Sequence, residues 1–322
     1  MNPQYSLIIP AYNEEAVIEE TYFRLTRVMQ SLGESYELIF VNDGSWDQTE
    51  AILGDLERSD SHVRLLSFSR NFGHQTAVTA GLDHASGRAI IIIDADLQDP
   101  PELIKQMIEK WKEGYEVVYG QRRERRGETW FKKSSAALFY RFLNALTDVN
   151  IPLDTGDFRL IDRRVADILL TLREKNRFIR GLVSWVGFRQ TAIEYVRDER
   201  LAGETKYSLK KMLRLSMDGI TSFSLKPLQL ATWSGLFIAG LSLLFLVISA
   251  VRLIWSPGTT TLWSFLTALS LLVNGITLIC IGILGEYVGR IYDEARNRPL
   301  YILKSEAKKY QLRTERVKRS VR

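Results

Sequence analysis

The residues best suited to chemistry lie in one stretch, AIIIIDADLQDPP at positions 89–101. Asp94 and Asp96 stand two residues apart where an apolar run ends. Carboxylates so spaced at the start of a loop can reach one hard cation. Magnesium characteristically takes one or two carboxylates and fills its remaining positions from substrate phosphates. A cation there would neutralise a nucleotide diphosphate and improve it as a leaving group. The same acids also suit a plainer purpose, solubilising a loop and capping a helix that opens at Pro101. Their placement favours the first use, because the run of apolar residues reads as a buried strand, with Gln98 and Pro100–Pro101 following.

A second acidic position, Asp43 in FVNDGSWDQT (residues 40–49), also ends an apolar run. A carboxylate there can hydrogen-bond a base or ribose; alternatively Asp43-Gly44-Ser45 is a turn and Asp47 a helix cap. A similar strand and turn open the chain, SLIIPAYNEE at residues 6–15. His74 has no second histidine or cysteine at ligand spacing, so it is not expected to bind metal. The single cysteine, Cys280, lies in an apolar run and reads as packing.

These positions need elements to hold them. Tyr5–Ile9, Tyr36–Asn42, Val63–Ser67, Ala89–Asp94 and Glu116–Gly120 read as strands, and Val17–Leu32, Trp46–Ser59, Gly73–His84 and Pro101–Glu113 as helices. Such alternation predicts βαβ units and a mostly parallel sheet covered on both faces, the α/β class. Ligands of open α/β sheets bind beyond the carboxyl ends of the strands, where Asp94 and Asp96 fall.

After Gly120 the pattern changes. GQRRERRGETWFKK is strongly basic, and reads either as a solvated surface or as a flap that touches phosphates. Ser134–Val149 and Leu209–Phe223 read as amphipathic helices that either cover the sheet or lie in a membrane interface. The 322 residues are 46% hydrophobic and 25% charged, but that average joins two unlike parts, since Arg252 is the only charged residue from Pro227 to Leu284. Two apolar spans, Leu228–Trp255 and Leu262–Leu284, are joined by SPGTTT, and each exceeds the roughly 20 residues needed to cross a bilayer. They predict a two-helix transmembrane hairpin. Gly235/Ala239 and Gly285/Gly289 would permit close helix approach, within the hairpin or in a homo-oligomer.

Basic residues flank both spans on the same side: Lys210, Lys211 and Lys226 before the first, Arg290, Arg296 and Lys304 after the second. The N-terminus lacks the charged and apolar regions of a signal peptide. The expectation is a multi-pass protein of the plasma (inner) membrane with its catalytic domain and both termini cytoplasmic. Much of the net charge of +5 lies near the membrane, with eight basic and two acidic residues from Lys304 to Arg322. Lipid headgroups suit this charge, and no nucleic-acid module accompanies it. The spans carry no polar pathway, which excludes a channel or transporter. The expected divisions are residues 1–206, catalytic; 207–226, a juxtamembrane helix; 227–286, the two spans; and 287–322, a basic tail.

Together, IIPAYNEE, VNDGSWD, SRNFGHQTA, DADLQDPP, GQR, TGDFRLIDR and RLAGETKYS resemble the inverting family 2 glycosyltransferases of GT-A fold, specifically their polyprenyl-phosphate branch. The resemblance runs from Tyr5 to about Lys211 and, for two-helix bacterial members, through the hairpin. It implies that Pro10, Tyr12, Glu14, Asp43 and Asp94 line the nucleotide site, and that Asp94, Asp96 and Gln98 form the motif for Mg2+ or Mn2+. Arg122, Arg200 and Lys206 match basic positions facing donor or acceptor phosphates, and Asp157 matches a base or acceptor-positioning group. One departure is Asn42, where many relatives have a second aspartate. The implied reaction moves a sugar, with UDP-glucose the first candidate donor, to polyprenyl (undecaprenyl) phosphate with inversion. A processive polysaccharide synthase of the same fold would need a Gln-x-x-Arg-Trp motif, which the sequence lacks. A binding module without activity would be expected to have lost Asp94 or Asp96.

Overall fold

The computed structural model describes residues 3–123, 155–172, 177–196 and 261–305, together with 152, 174, 175 and scattered positions between 228 and 244. The elements run β1 (Tyr5–Ala11), α1 (Ile18–Gln30), β2 (Tyr36–Asn42), α2 (Thr49–Ser59), β3 (Val63–Ser67), α3 (His74–His84) and β4 (Ala89–Ile92). A 3-10 turn at Pro101–Leu103 leads into α4 (Ile104–Lys112), followed by β5 (Val117–Arg122) and β6 (Thr155–Asp162). Then come α5 (Arg163–Thr171), α6 (Ile179–Val186), β7 (Gln190–Tyr195) and α7 (Thr261–Ala295). Each element expected before Gly120 is present, with its bounds moved by a few residues at most.

The strands form one sheet in the order β3-β2-β1-β4-β6-β5-β7. Only β6 is reversed, running antiparallel to both β4 and β5. β1 lies between β2 and β4 and is buried along its whole length, which is why YSLIIPA is nearly continuous apolar sequence. Its side chains alternate between two cores. Leu7 and Ile9 join Leu25 and Met29 of α1 and Ile104 and Met107 of α4 on one face. Ile8 joins Ala77 and Leu82 of α3 and Val165 of α5 on the other. α3 lies so close to β1 that a Cβ on Gly81 would stand 2.2 Å from an Ile8 methyl, so a small residue is required there.

β6 and β7 lie outside the five strands that periodicity predicts. In TGDFRLID the polar Thr155, Asp157 and Arg159 alternate with Gly156, Phe158 and Leu160, yet all six are buried. Ion pairing and backbone hydrogen bonds stand in for the apolar pattern on that side of the strand.

α7 has 35 residues and spans about 52 Å at 1.5 Å per residue. Among the described residues it alone contains a stretch long and apolar enough to cross a membrane, Leu272–Ala295, with mean hydropathy 1.6 and none of its apolar window buried. The helix continues beyond Leu284, so the tail expected from residue 287 begins as helix, and Tyr301 and Leu303 then pack against the α3 face of the sheet. The first expected span lies mostly outside the described residues, as do both amphipathic segments, Ser134–Val149 and Leu209–Phe223.

Candidate active site

The end of β4 delivers its acids by strand alternation. Asp94, Asp96 and Gln98 are partly exposed, whereas Ala95, Leu97 and Asp99 between them are buried. Leu97 sits at φ 56°, a costly conformation for a bulky residue, in the middle of this segment. Thr21 of α1 fixes the motif from behind, its hydroxyl donating to the Ala95 carbonyl at 2.8 Å. Asp96 accepts the Gln98 amide at 3.2 Å. Burial first, and then the nearby Asp157, Asp99 and Asp96, push the Asp94 carboxyl up to about 6, against the pull of His74.

A divalent cation fits these residues. Asp94 Oδ1 is buried and accepts no hydrogen bond among the described residues, with the His74 imidazole 3.6 Å away. Among the described residues no three His, Cys, Asp or Glu side chains converge to enclose a metal. An ion held by Asp94 and Asp96, or by Asp96 and Gln98, would therefore draw its other oxygens from a bound ligand, as Mg2+ does with phosphates.

Beside this motif lies a hub on β6. Arg180 of α6 donates from Nε to Asp157 Oδ1 at 2.8 Å. His74 Nε2 and Gln75 Nε2 of α3 each lie 3.0 Å from Asp157 Oδ2. Both oxygens are thus committed. Burial pushes the Asp157 carboxyl up, but Arg180, His74 and Arg159 outweigh it and hold it well below the usual carboxylate range. His74 is shifted the other way: burial lowers it, yet Asp94 and Asp157 raise it to about 9, so it carries a proton at neutral pH.

Arg122, at the end of β5, is also held. The fully buried Asp99 accepts a hydrogen bond from the Tyr195 hydroxyl and lies 3.7 Å from Arg122 Nη2. Tyr195 in turn stands 3.4 Å from Arg122 Nε. A Cβ on Gly156 would meet Arg122 Nη2 at 2.6 Å, so the guanidinium fills the space that glycine leaves.

The remaining expected residues lie along the β1–α1 and β2–α2 loops. Pro10 is buried in β1, while Tyr12 and Glu14 are partly exposed beyond it. The two loops are latched together. Asn13 N donates to Ser45 Oγ at 3.0 Å, Trp46 N to Asn13 Oδ1 at 3.0 Å, and Glu14 N to Thr49 Oγ1 at 2.9 Å. Asp43 is 3% exposed, and its oxygens accept the Phe72 amide at 2.7 Å and the Gly73 amide at 2.9 Å. It therefore pins the loop before α3. Gly44, at φ 68°, has the Arg70 backbone 2.4 Å from where a Cβ would be, so the turn admits no side chain. Asn42 is buried, accepting the Ser45 amide at 3.0 Å.

The structure thus brings Asp94, Asp96, Gln98 and Asp157 to one sheet edge, with Arg122 beside Asp99. Arg200 and Lys206 lie outside the described residues. Sequence reasoning missed His74, Gln75, Arg180, Thr21, Asp99 and Tyr195 as members of the site. His74 and Gln75 belong to a quoted motif, SRNFGHQTA, and Asp99 adjoins the acidic motif; nothing near Arg180 or Tyr195 in the sequence marks them.

The sequence model described as Glycosyl transferase family 2 matches residues 6–169. The chain is 59% identical over 98% of its length to "Uncharacterized glycosyltransferase YkcC" of Bacillus subtilis (strain 168), covering 97% of that protein. It is 43% identical to the bactoprenol glucosyl transferase of Shigella phage SfV, over 94% of this chain and 99% of that one. It is 42% identical to the prophage bactoprenol glucosyl transferase homolog of Escherichia coli (strain K12), over 93% of this chain and 98% of that one.

Proposed function

Because the chain belongs to glycosyl transferase family 2, we propose that it transfers glucose from UDP-glucose to polyprenyl (undecaprenyl) phosphate with inversion, yielding a lipid-linked sugar for cell-envelope glycan modification. The observation that carries this is the nearly end-to-end match to bactoprenol glucosyl transferases. The site geometry agrees with it, since acids, partly buried arginines and a protonated histidine converge beyond the carboxyl ends of the parallel strands of a mostly parallel sheet of GT-A type.

The acceptor needs little activation. A phosphate monoester with its second pKa near 6 is largely dianionic at neutral pH. One of its oxygens attacks the anomeric carbon, the bond from that carbon to the UDP oxygen breaks, and UDP leaves with the bonding pair. Asp157 is unsuited to remove a proton, because its oxygens are engaged and its carboxyl is held strongly acidic. Its proposed work is to orient His74 and Arg180. Those cations, with Arg122, Arg200 and Lys206, hold phosphate groups in line. Asp94, Asp96 and Gln98 would hold Mg2+ or Mn2+, which supplies charge neutralisation of the departing diphosphate. Pro10, Tyr12, Glu14 and Asp94 border the nucleotide, while Asp43 acts by fixing the loop ahead of His74.

The membrane arrangement is part of the same proposal. At about 52 Å, α7 is longer than the roughly 30 Å hydrocarbon core, so its charged end from Glu286 onward would emerge on the catalytic side. A preceding span would complete a hairpin with both termini cytoplasmic. Cys280 Sγ of α7 lies 3.7 Å from the Ala231 carbonyl, a contact that supports pairing of the two. Among the described residues nothing lies within 4 Å of a Cβ placed on Gly285 or Gly289, leaving room for close approach of a helix, including one from a second copy.

The direct test is transfer by purified protein in detergent, offering radiolabelled UDP-glucose, and GDP-mannose in parallel, to undecaprenyl phosphate with Mg2+, Mn2+ or EDTA. Label should enter the organic phase from UDP-glucose only with metal, and not with Asp96→Ala. Label in a water-soluble polymer would instead identify a polysaccharide synthase.

A further inference from the structure

Beyond α7 the chain turns back and ties itself to the catalytic domain. Leu303 forms an antiparallel bridge with Phe68, just past the end of the edge strand β3, and Ser69 N donates to the Ile302 carbonyl at 2.9 Å. Leu303 is buried in the core that holds Phe68 and Ala77. Two side-chain anchors flank the segment: Lys175 N donates to Glu294 Oε1 at 2.5 Å, and Lys304 pairs with Glu50.

Tyr301 makes the informative contacts. Its ring stacks on Phe68, with centroids 5.1 Å apart and planes 18° from parallel. Its hydroxyl donates to Asp83 Oδ2 at 2.8 Å. Phe68 lies before the loop that leads into α3, and Asp83 lies in the last turn of that helix. One side chain therefore brackets the segment from 68 to 83. Within the bracket Ser69, Arg70 and Asn71 are exposed, but Phe72 meets Phe68 edge-on at 5.6 Å, and Asp43 holds the Phe72 and Gly73 amides. Its next residues are His74 and Gln75, which both reach Asp157.

We propose that residues 299–305 form a strap, with Tyr301 as a positioning residue that sets the 68–75 loop and hence the His74–Asp157 contact, linking the end of the membrane helix to the transfer site. A free tail would make none of these contacts. A segment serving only to cover the sheet edge would need the bridge and Leu303, but not an aromatic ring stacked on Phe68 where the 68–75 loop begins. Its catalytic consequence rests on the transfer reaction proposed above; the physical strap does not.

The test uses full-length protein in detergent micelles, comparing wild type with Tyr301→Ala and with Tyr301→Phe, which keeps the stacked ring. Hydrogen–deuterium exchange reads the strap without any reaction. In Tyr301→Ala, amides of residues 69–76 should exchange about tenfold faster, with β1 and β2 unchanged, and Tyr301→Phe should stay within about twofold of wild type. In transfer assays, Tyr301→Ala should lower kcat about fivefold with KM for UDP-glucose nearly constant, and Tyr301→Phe should restore it. Wild-type exchange in Tyr301→Ala, or faster exchange spread equally through β1 and β2, overturns the strap. Local loosening with undiminished kcat overturns the positioning role. If wild-type protein moves no label from any donor, the transfer reaction fails, and the exchange result alone decides the strap.

Discussion

Arg180 reaches Asp157 from a different helix than His74 does, and the two cations take opposite oxygens of one carboxylate, at 2.8 and 3.0 Å. The arrangement gathers positive charge on a buried anion instead of leaving that anion free to accept a proton. His74 also lies 3.6 Å from Asp94, so the hub touches the acidic motif of β4 directly. A reaction between a phosphate dianion and a sugar diphosphate calls for this kind of site, in which like charges must be brought together and held in line.

If Asp157 positions cations and is not a base, Asp157→Asn should slow transfer by an amount on the order of tenfold to a hundredfold, and the defect should deepen as pH rises from about 6 to 8, because His74 then keeps only Asp94 to hold its proton. The variant should also lose about 3 kcal/mol of stability, because Arg180 and Arg159 would be left without their counter-charge and His74 with Asp94 alone. Rate against pH and thermal denaturation measure both. A defect that small added bases such as formate repair would return Asp157 to the role of base.

Tyr195→Phe removes one hydroxyl from the Asp99–Tyr195–Arg122 cluster. Asp99 is fully buried, so losing this donor should cost about 1–3 kcal/mol. Arg122 would lose part of its fixation, and turnover should fall about tenfold while the fold persists. Denaturation midpoints and steady-state kinetics on one preparation check this. Unchanged kinetics with lowered stability would make the cluster structural only.

Asp162 offers a pH prediction away from the site. Its carboxylate caps α5 by accepting the Arg164 amide at 3.0 Å and also accepts the Trp111 indole N–H at 2.8 Å. Burial pushes the carboxyl up, but these bonds and the Arg164 charge hold it below its ordinary value. A depressed folded-state pKa means that the stabilisation is complete above the unfolded value near 3.9 and is lost as pH falls through the lower, folded value. Asp162→Asn should therefore cost about 1 kcal/mol at neutral pH and progressively less in acid below that range. A penalty that does not shrink with acid would assign the effect to shape instead of charge.

Much of the fold was legible because β1, β2 and β4 are flanked on both sides and must be apolar along their lengths, and because α1 and α4 bury one stripe each. Asp94 and Asp96 were legible for the same reason: they are the first charges after AIIII. β6 escaped notice because Asp157 and Arg159 break the apolar pattern, and their burial is compensated by Arg180 and His74, which are distant in sequence. Local periodicity carries no trace of such pairings. Asp43 was correctly placed at a strand end, but its partners, the Phe72 and Gly73 amides, are set by tertiary structure, and they give it a loop-fixing contact that the motif alone does not reveal.

Asp94 poses the sharpest test, because stability and activity should move in opposite directions. Without a metal it is a recessed carboxylate pressed by Asp157, Asp99 and Asp96 and only partly offset by His74. Asp94→Asn keeps the shape and removes that crowding, so in EDTA the variant should be more stable than wild type by about 1–2 kcal/mol at neutral pH. The same change removes a hard oxygen ligand, so turnover with Mg2+ or Mn2+ should fall about a hundredfold. Melting curves in EDTA, and then with Mn2+ and UDP, would show the exchange. Wild type should gain more from the ligands than the variant, because only a state that binds them is stabilised. Equal gains would mean that Asp94 neither holds the ion nor senses the diphosphate, and would move the metal to Asp96 and Gln98.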